Sequence, residues 1–164
     1  MTSQAKLYFF CGKMAAGKST LAKALAAREN AVLLVQDELL ETLFPDEIRT
    51  IPDFLDRSSR LRHALTAHIV ALLAKNISVV LDFPANTTRQ RDWFRQIIDQ
   101  ARVDHELHFV DSSNDLCIAQ LKERSKHLPP GTPWTTQAEF EAITVHFQPP
   151  AAEENFHIVH HHRG

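Results

Sequence analysis

Residues 12–19 read Gly-Lys-Met-Ala-Ala-Gly-Lys-Ser, which fits the spacing G-x-x-x-x-G-K-[ST]. Glycines at these places let the backbone curl so that successive N–H groups point at one anion. The N-terminus of a following helix adds free donors and the positive end of its dipole. An apolar run at 7–10 precedes the segment and an alanine-rich helix follows it at 19–29. This context predicts a loop that binds a nucleoside triphosphate, called the phosphate loop below.

Two side chains of the phosphate loop have tasks of their own. Lys18 can reach the β- and γ-phosphates, so it is also a candidate catalytic residue, and the Ser19 hydroxyl can complete the shell of Mg²⁺. We therefore predict ATP and Mg²⁺ as the cofactors. The residues expected to contact the nucleotide are Gly12, Lys13, Met14, Ala15, Ala16, Gly17, Lys18, Ser19 and Thr20.

Two carboxylates follow later strand-like segments. Asp37 comes after the apolar run 31–35, and Asp82 ends the run that begins at residue 77. In an open parallel sheet, ligands bind in the crevice at the carboxyl ends of the strands. Asp37 is therefore a candidate general base for an attacking hydroxyl, with a helix-cap or first-turn role as the alternative. Asp82 is a candidate for the Mg²⁺ site, with hydrogen bonds to loop backbone as its alternative.

Basic residues supply candidates for charge neutralisation. Arg124 lies near the end of a predicted helix that runs into a proline-rich segment. An arginine there can stabilise the charge that develops on a transferring phosphoryl group, although helix C-termini attract cations in any case. We predict that Arg124 is catalytic and that residues 125–137 form a lid. The weaker candidates for contacts to a phosphoryl acceptor are Arg57, Arg60, Arg62, Arg91 and Trp134.

The order of segments predicts an α/β fold. Strand-like runs alternate with helix-like segments, which is typical of a parallel sheet covered by helices. The further helices are expected at about 38–44, 53–75, 88–101, 114–126 and 136–147, and the further strands at 105–110 and 156–159. Thr87 and Gln90 match a capping box at the start of one helix. With no repeat or linker, residues 1–164 are predicted to form a single domain.

Composition narrows the possible environment and partners. The formal net charge is −2, so nothing global favours nucleic acid or an anionic membrane. The apolar runs are far too short to cross a bilayer, and no basic-then-apolar leader opens the chain. Cys11 and Cys117 have apolar neighbours, as buried free thiols do. We expect a soluble, cytoplasmic protein. The histidines at 160–162 are interpreted as a frayed polar tail rather than a zinc site.

Five segments together resemble one group of enzymes: GKMAAGKST, VQDELL, VVLDFPANTTRQR, QLKERS and FQPPAAEENF. They are similar to small phosphate-loop kinases, AAA-type domains related to polynucleotide 5′-hydroxyl kinases, zeta toxins and chloramphenicol phosphotransferase. The nearest likeness is to an uncharacterised bacterial subgroup of ATP-binding domains. The resemblance spans residues 7–159. It implies a three-layer P-loop NTPase fold, with a five-stranded parallel sheet in the order 2-3-1-4-5, helices on both faces and a lid after the fourth strand.

The same resemblance assigns roles to single residues. It implies that Asp37 is at the general-base position and that Arg124 is the lid arginine. The motif after the third strand is matched by Asn86, Thr87 and Arg91, and the segment before the last strand by Glu154 and Phe156.

Two features differ from many of these relatives. The relatives continue the second strand with Asp-x-x-Arg, whereas Leu40 stands where that arginine would be, and only one lid arginine is clear.

The motifs and the resemblance together predict a kinase that transfers the γ-phosphoryl group of Mg·ATP to a hydroxyl of a small molecule or a nucleic-acid end. The alternative is a nucleotide-dependent binding or regulatory ATPase without a phosphoryl acceptor.

Overall fold

The computed structural model describes residues 4–126 and 136–164. In chain order the elements are β1 Lys6–Cys11, α1 Lys18–Arg28, β2 Val32–Val35, α2 Gln36–Leu43, α3 Ile51–Ala74, β3 Val79–Asp82, α4 Thr88–Ala101, β4 Asp104–Ser112, α5 Asn114–Ser125, α6 Gln137–Thr144 and β5 Ile158–Arg163, with a 3₁₀ turn at Ala152–Glu154. Strands and helices alternate through most of the chain, and the predicted α/β class is confirmed.

Hydroxyl side chains set the starts of four helices. Thr50, Thr87, Ser113 and Thr136 each accept a hydrogen bond from the backbone N–H three residues ahead, which pairs a donor that the helix itself leaves free. The capping box predicted at Thr87 is half formed, because the Gln90 side chain accepts from the N–H of Asn86 instead. Among the described residues, no helix combines the length and apolar character needed to span a membrane.

All five strands are parallel and lie in the order β2-β3-β1-β4-β5, as the resemblance implied. Alternate residues of a strand point to opposite faces, so β1 contributes side chains to a hydrophobic core on each face of the sheet. Phe9 packs on one face, where its ring stacks on Phe94 of α4 at 4.4 Å between centroids. Phe10 packs on the other face with Leu25 of α1. The sheet therefore has helices on both faces, and the carboxyl ends of its strands share one edge.

The sheet order explains where two strands differ from their predictions. The apolar run of β2 is typical of a buried strand, but Val32 is exposed and the rest of the strand is half-buried, because β2 is an edge strand with a single neighbour. β4 extends further than predicted, over nine residues, because β1 and β5 pair with it on both sides.

The predicted frayed tail at residues 160–162 is wrong. These histidines belong to β5, and parallel pairing with β4 supplies the backbone partners that a tail would lack. His161 lies on one face, with its Nε2 atom 2.9 Å from Nδ1 of His108. His160 and His162 lie on the other face beside Asp111, and the ligating atoms of these three residues lie within 4.8 Å of one another.

Candidate active site

The phosphate loop joins β1 to α1, and close packing fixes its two glycines. A Cβ on Gly12 would lie 2.7 Å from the carbonyl oxygen of Val110, so a side chain there would collide with the backbone of β4. Gly17 has a φ of 106°, a conformation that L side chains rarely adopt. Between them, Ala15 is also left-handed, with a φ of 61°. A non-glycine residue in that conformation is uncommon and points to a loop held in place by its surroundings.

Two neighbouring segments hold the loop. The N–H of Gly12 donates to Oδ1 of Asn86 at 3.0 Å, and Asn86 is itself fixed by Gln90. On the other side, Nζ of Lys13 donates to Oδ1 of Asn114 at 2.8 Å and to the carbonyl of Ser112 at 3.3 Å. These two bonds tie Lys13 to the junction of β4 and α5. Asn86 was singled out in the sequence through the resemblance alone, and the structure gives it a physical task.

Lys18 is the first residue of α1, and its ammonium donates back to the carbonyl of Gly12. Burial lowers the pKa of Lys18, and the carboxylates of Asp82 and Asp37 partly offset that effect. A desolvated ammonium is well suited to bind phosphate oxygens, because their charge replaces the lost hydration.

The two residues predicted to hold Mg²⁺ are in direct contact. Oγ of Ser19 donates to Oδ2 of Asp82 at 2.7 Å, although the two residues are 63 positions apart in the sequence. β3 ends at Asp82 next to the start of α1, and this places the carboxylate beside the loop. Hydroxyl and carboxylate oxygens are ligands that Mg²⁺ prefers, so this pair fits the ion.

Asp37 lies in the first turn of α2, whose N-cap is Val35, so it does not cap the helix. It lines the same cleft as Lys18, Ser19 and Asp82. Desolvation raises the pKa of Asp37, the Asp82 carboxylate raises it further, and Lys18 lowers it. A carboxylate with a raised pKa is a better proton acceptor than an ordinary aspartate, as a general base requires.

Arg124 completes the cleft from the last turn of α5. The structure therefore brings together all of the predicted catalytic and metal-site residues. Of the predicted nucleotide contacts, Met14 to Ser19 line this cleft, whereas Gly12, Lys13 and Thr20 do not. Most of the lid predicted at 125–137, with Trp134, lies outside the described residues.

Arg91 has a structural contact rather than an acceptor contact. Its side chain is 1% exposed and forms two hydrogen bonds to the Glu154 carboxylate, at 2.7 and 3.1 Å. A third bond reaches the carbonyl of Ala85. This ion pair ties α4 to the segment before β5, which accounts for the motif positions of both residues.

The three arginines of α3 have different surroundings. Arg57 and Arg60 both form ion pairs with Asp56. Within residues 4–126 and 136–164, Arg62 has no acidic partner, although it is half-buried.

A model of the AAA domain family matches residues 7–150 of this sequence. The chain belongs to this family. No curated protein matches the sequence of this AAA domain. Many solved structures share its fold. One, from Chloroflexus aurantiacus J-10-fl, has a TM-score of 0.75 and 16% identity, covering 98% of this chain and 89% of that one.

Two others have named activities. A gluconokinase from Sinorhizobium meliloti 1021 has a TM-score of 0.56 and 17% identity, covering 96% of this chain and 82% of that one. A chain of the Pnkp1/Rnl/Hen1 RNA repair complex has a TM-score of 0.67 and 19% identity, covering 95% of this chain and 47% of that one. At these identities the comparisons show a shared fold.

Proposed function

We propose that this AAA domain is an ATP-dependent kinase that transfers the γ-phosphoryl group to a hydroxyl of an acceptor. The observation that carries the proposal is the position of Asp37. Its carboxylate lines the cleft of Lys18, Ser19 and Asp82, and its pKa is raised. A carboxylate at this place can accept the proton of an attacking hydroxyl.

The proposed reaction uses each of these side chains. Asp37 accepts the proton of the acceptor hydroxyl as its oxygen attacks the γ-phosphorus. The bond from the γ-phosphorus to the β–γ bridging oxygen breaks, and ADP leaves with that bond's electron pair. Lys18 and Arg124 balance the charge on the transferring phosphoryl group. Ser19 and Asp82 would hold Mg²⁺, which supplies further charge neutralisation on the phosphate oxygens.

Support for kinase chemistry also comes from the solved structures of the same fold, which include a gluconokinase. The alternative is a nucleotide-dependent binding or regulatory ATPase in which no acceptor is phosphorylated. The two functions differ in what stimulates ADP formation. A kinase forms ADP faster when its acceptor is present, and the rate of ADP formation depends on the general base.

The test is ADP formation by the purified protein with Mg·ATP, with and without fractions of a deproteinised cell extract. The proposal predicts that one fraction stimulates ADP formation well above the rate with water as the acceptor. The Asp37→Asn variant should lose that stimulation, and the Glu38→Gln variant, which removes a neighbouring exposed carboxylate, should keep it. If no fraction stimulates the wild type, or if Asp37→Asn responds equally, the kinase assignment is wrong.

A further inference from the structure

A second pocket adjoins the cleft that holds Lys18 and Asp37. It has a volume of about 400 Å³ and lies among the start of α2, the first half of α3, and the β3–α4 segment. Pro84 lines both spaces, and the consecutive residues Gln36 and Asp37 line one each. A molecule in this pocket would therefore lie next to the cleft that Asp37 lines. Small-molecule sites are of this size and combine apolar walls with a few polar groups.

Two polar side chains at the pocket are buried without partners. Gln36 is 1% exposed and Ser58 is 2% exposed. In the described part of the chain, neither the amide nitrogen nor the amide oxygen of Gln36, nor the hydroxyl of Ser58, has a hydrogen-bond partner. Buried polar atoms are nearly always paired, because leaving them unpaired costs stability. A bound ligand with hydroxyl groups would supply partners for both residues.

The charge of the pocket is positive. Arg62 and Arg89 line it from α3 and α4, and no acidic side chain does so among the residues described. Burial lowers the pKa of Arg62, and no carboxylate offsets that effect. Arg60, two residues before Arg62 on α3, is exposed and forms an ion pair with Asp56. A half-buried guanidinium without a counter-charge favours an anionic ligand, since two parallel N–H···O bonds can hold a carboxylate or phosphate.

We propose that this pocket binds the phosphoryl acceptor, and that the acceptor is a small hydroxyl compound carrying a carboxylate or phosphate group. Arg62 binds the anionic group. Gln36 and Ser58 bind hydroxyls, and the reacting hydroxyl lies next to Asp37. The inference rests on the proposed kinase function.

The pocket favours a small molecule over a nucleic-acid end. A polynucleotide is held by a row of cations that follows its phosphates, and each such contact adds to the affinity. The pocket offers two arginines, of which Arg62 is half-buried, and apolar side chains such as Trp93 and Phe54 line the same space. The net charge of −2 supplies no wider attraction. A 5′-hydroxyl oligonucleotide is therefore the arm of the experiment that is expected to fail.

The experiment follows the side-chain N–H signals of Arg62 and Trp93 by ¹⁵N–¹H NMR, with the phosphate loop saturated by Mg·AMPPNP. The probes are sulfate, the matched pair gluconate and glucitol, and a 5′-hydroxyl oligonucleotide. We expect sulfate and gluconate to shift both signals saturably, and glucitol to do so at least about tenfold more weakly, because it lacks the charge-assisted bonds. Arg62→Gln should weaken the sulfate response by a similar factor. Arg62→Lys should restore part of it, and Arg60→Gln should leave it within about twofold of wild type.

Three results would overturn the inference: no response of Arg62 and Trp93 to sulfate or gluconate, an equal loss in Arg60→Gln, or tighter binding of the oligonucleotide than of either small anion. Failure of the proposed function is read separately. The kinase proposal fails if the amide signals of residues 12–19 do not respond to Mg·AMPPNP, or if ADP formation does not depend on Asp37. The anion response at Arg62 is measured whatever the outcome of those two tests.

Discussion

The change from Asp37 to Asn separates catalysis from stability at one position. Asn keeps the size and hydrogen-bonding ability of the side chain but cannot accept a proton from a hydroxyl. Loss of a general base lowers turnover by roughly 10²–10⁴. That loss corresponds to about 2.7–5.4 kcal/mol of activation free energy. Binding of Mg·ATP should change little, because the phosphates are expected to contact the loop and Lys18 rather than Asp37.

The effect of this change on stability should be much smaller. Asp37 lies in the first turn of α2, where the helix dipole favours a negative charge by about 0.3–1 kcal/mol. Desolvation and the Asp82 carboxylate act in the opposite direction, since they raise the pKa of Asp37. We therefore expect the free energy of unfolding to change by about 1 kcal/mol or less at neutral pH. The predicted increase in activation free energy, about 2.7–5.4 kcal/mol, exceeds this change in the free energy of unfolding several-fold.

The raised pKa also fixes a pH dependence. The folded pKa lies above the unfolded value of 3.8, so the contribution of this carboxyl to stability is fully present below pH 3.8. It is lost as the pH rises through the folded pKa. Relative to wild type, Asp37→Asn should therefore gain stability as the pH rises from 3.8 through the folded pKa. Wild-type turnover should fall as the pH drops through the same pKa, and the variant should lack that limb.

The assay is hydrolysis of Mg·ATP, with water as the acceptor, alongside chemical denaturation of both proteins. Glu38→Gln is the matched control, because it removes the same charge from the neighbouring, exposed residue. If Asp37→Asn hydrolysed ATP at the wild-type rate, the general-base role would be refuted. If it lost turnover only in proportion to lost folding, the carboxylate would be structural.

Three further predictions concern the loop, the metal site and the buried ion pair. Lys18→Ala should abolish calorimetrically measurable Mg·ATP binding, whereas Lys23→Ala on the exposed face of α1 should not; equal affinities would exclude the nucleotide site. Ser19→Ala should raise the Mg²⁺ concentration needed for half-maximal hydrolysis several-fold, and an unchanged titration would remove Ser19 from the metal site. Arg91→Met should lower the free energy of unfolding by about 3–5 kcal/mol, because it leaves Glu154 mostly buried without its partner; a loss below about 1 kcal/mol in chemical denaturation would contradict that account.

The sequence was most informative where local pattern and chemistry agree. The phosphate loop combines a fixed spacing with a strand before it and a helix after it, so its position follows from three independent signals. Asp37 and Asp82 could be placed because the carboxyl ends of parallel strands share one edge. The sheet order came from the resemblance alone, since apolar runs do not reveal which strands are neighbours.

The sequence was least informative about contacts between distant segments. Nothing in the sequence indicates that Arg91 forms an ion pair with Glu154, which is 63 positions away. Arg57, Arg60 and Arg62 looked equivalent, but in the structure Asp56 pairs with the first two and not with Arg62. The histidines of β5 resembled a tail because their polar side chains hide the pairing with β4. The sequence does not indicate a role for Gln36, since burial without a hydrogen-bond partner can be seen only in a folded chain.

The central claim is that this AAA domain phosphorylates a small anionic hydroxyl compound. Its most direct test is incubation of the protein with Mg·[γ-³²P]ATP and a mixture of cellular metabolites, followed by separation of labelled products. We expect a labelled small anion whose label alkaline phosphatase releases, formed by wild type and Glu38→Gln but not by Asp37→Asn. Label found solely in inorganic phosphate, or transferred to 5′-hydroxyl oligonucleotides in preference to any small molecule, would contradict it.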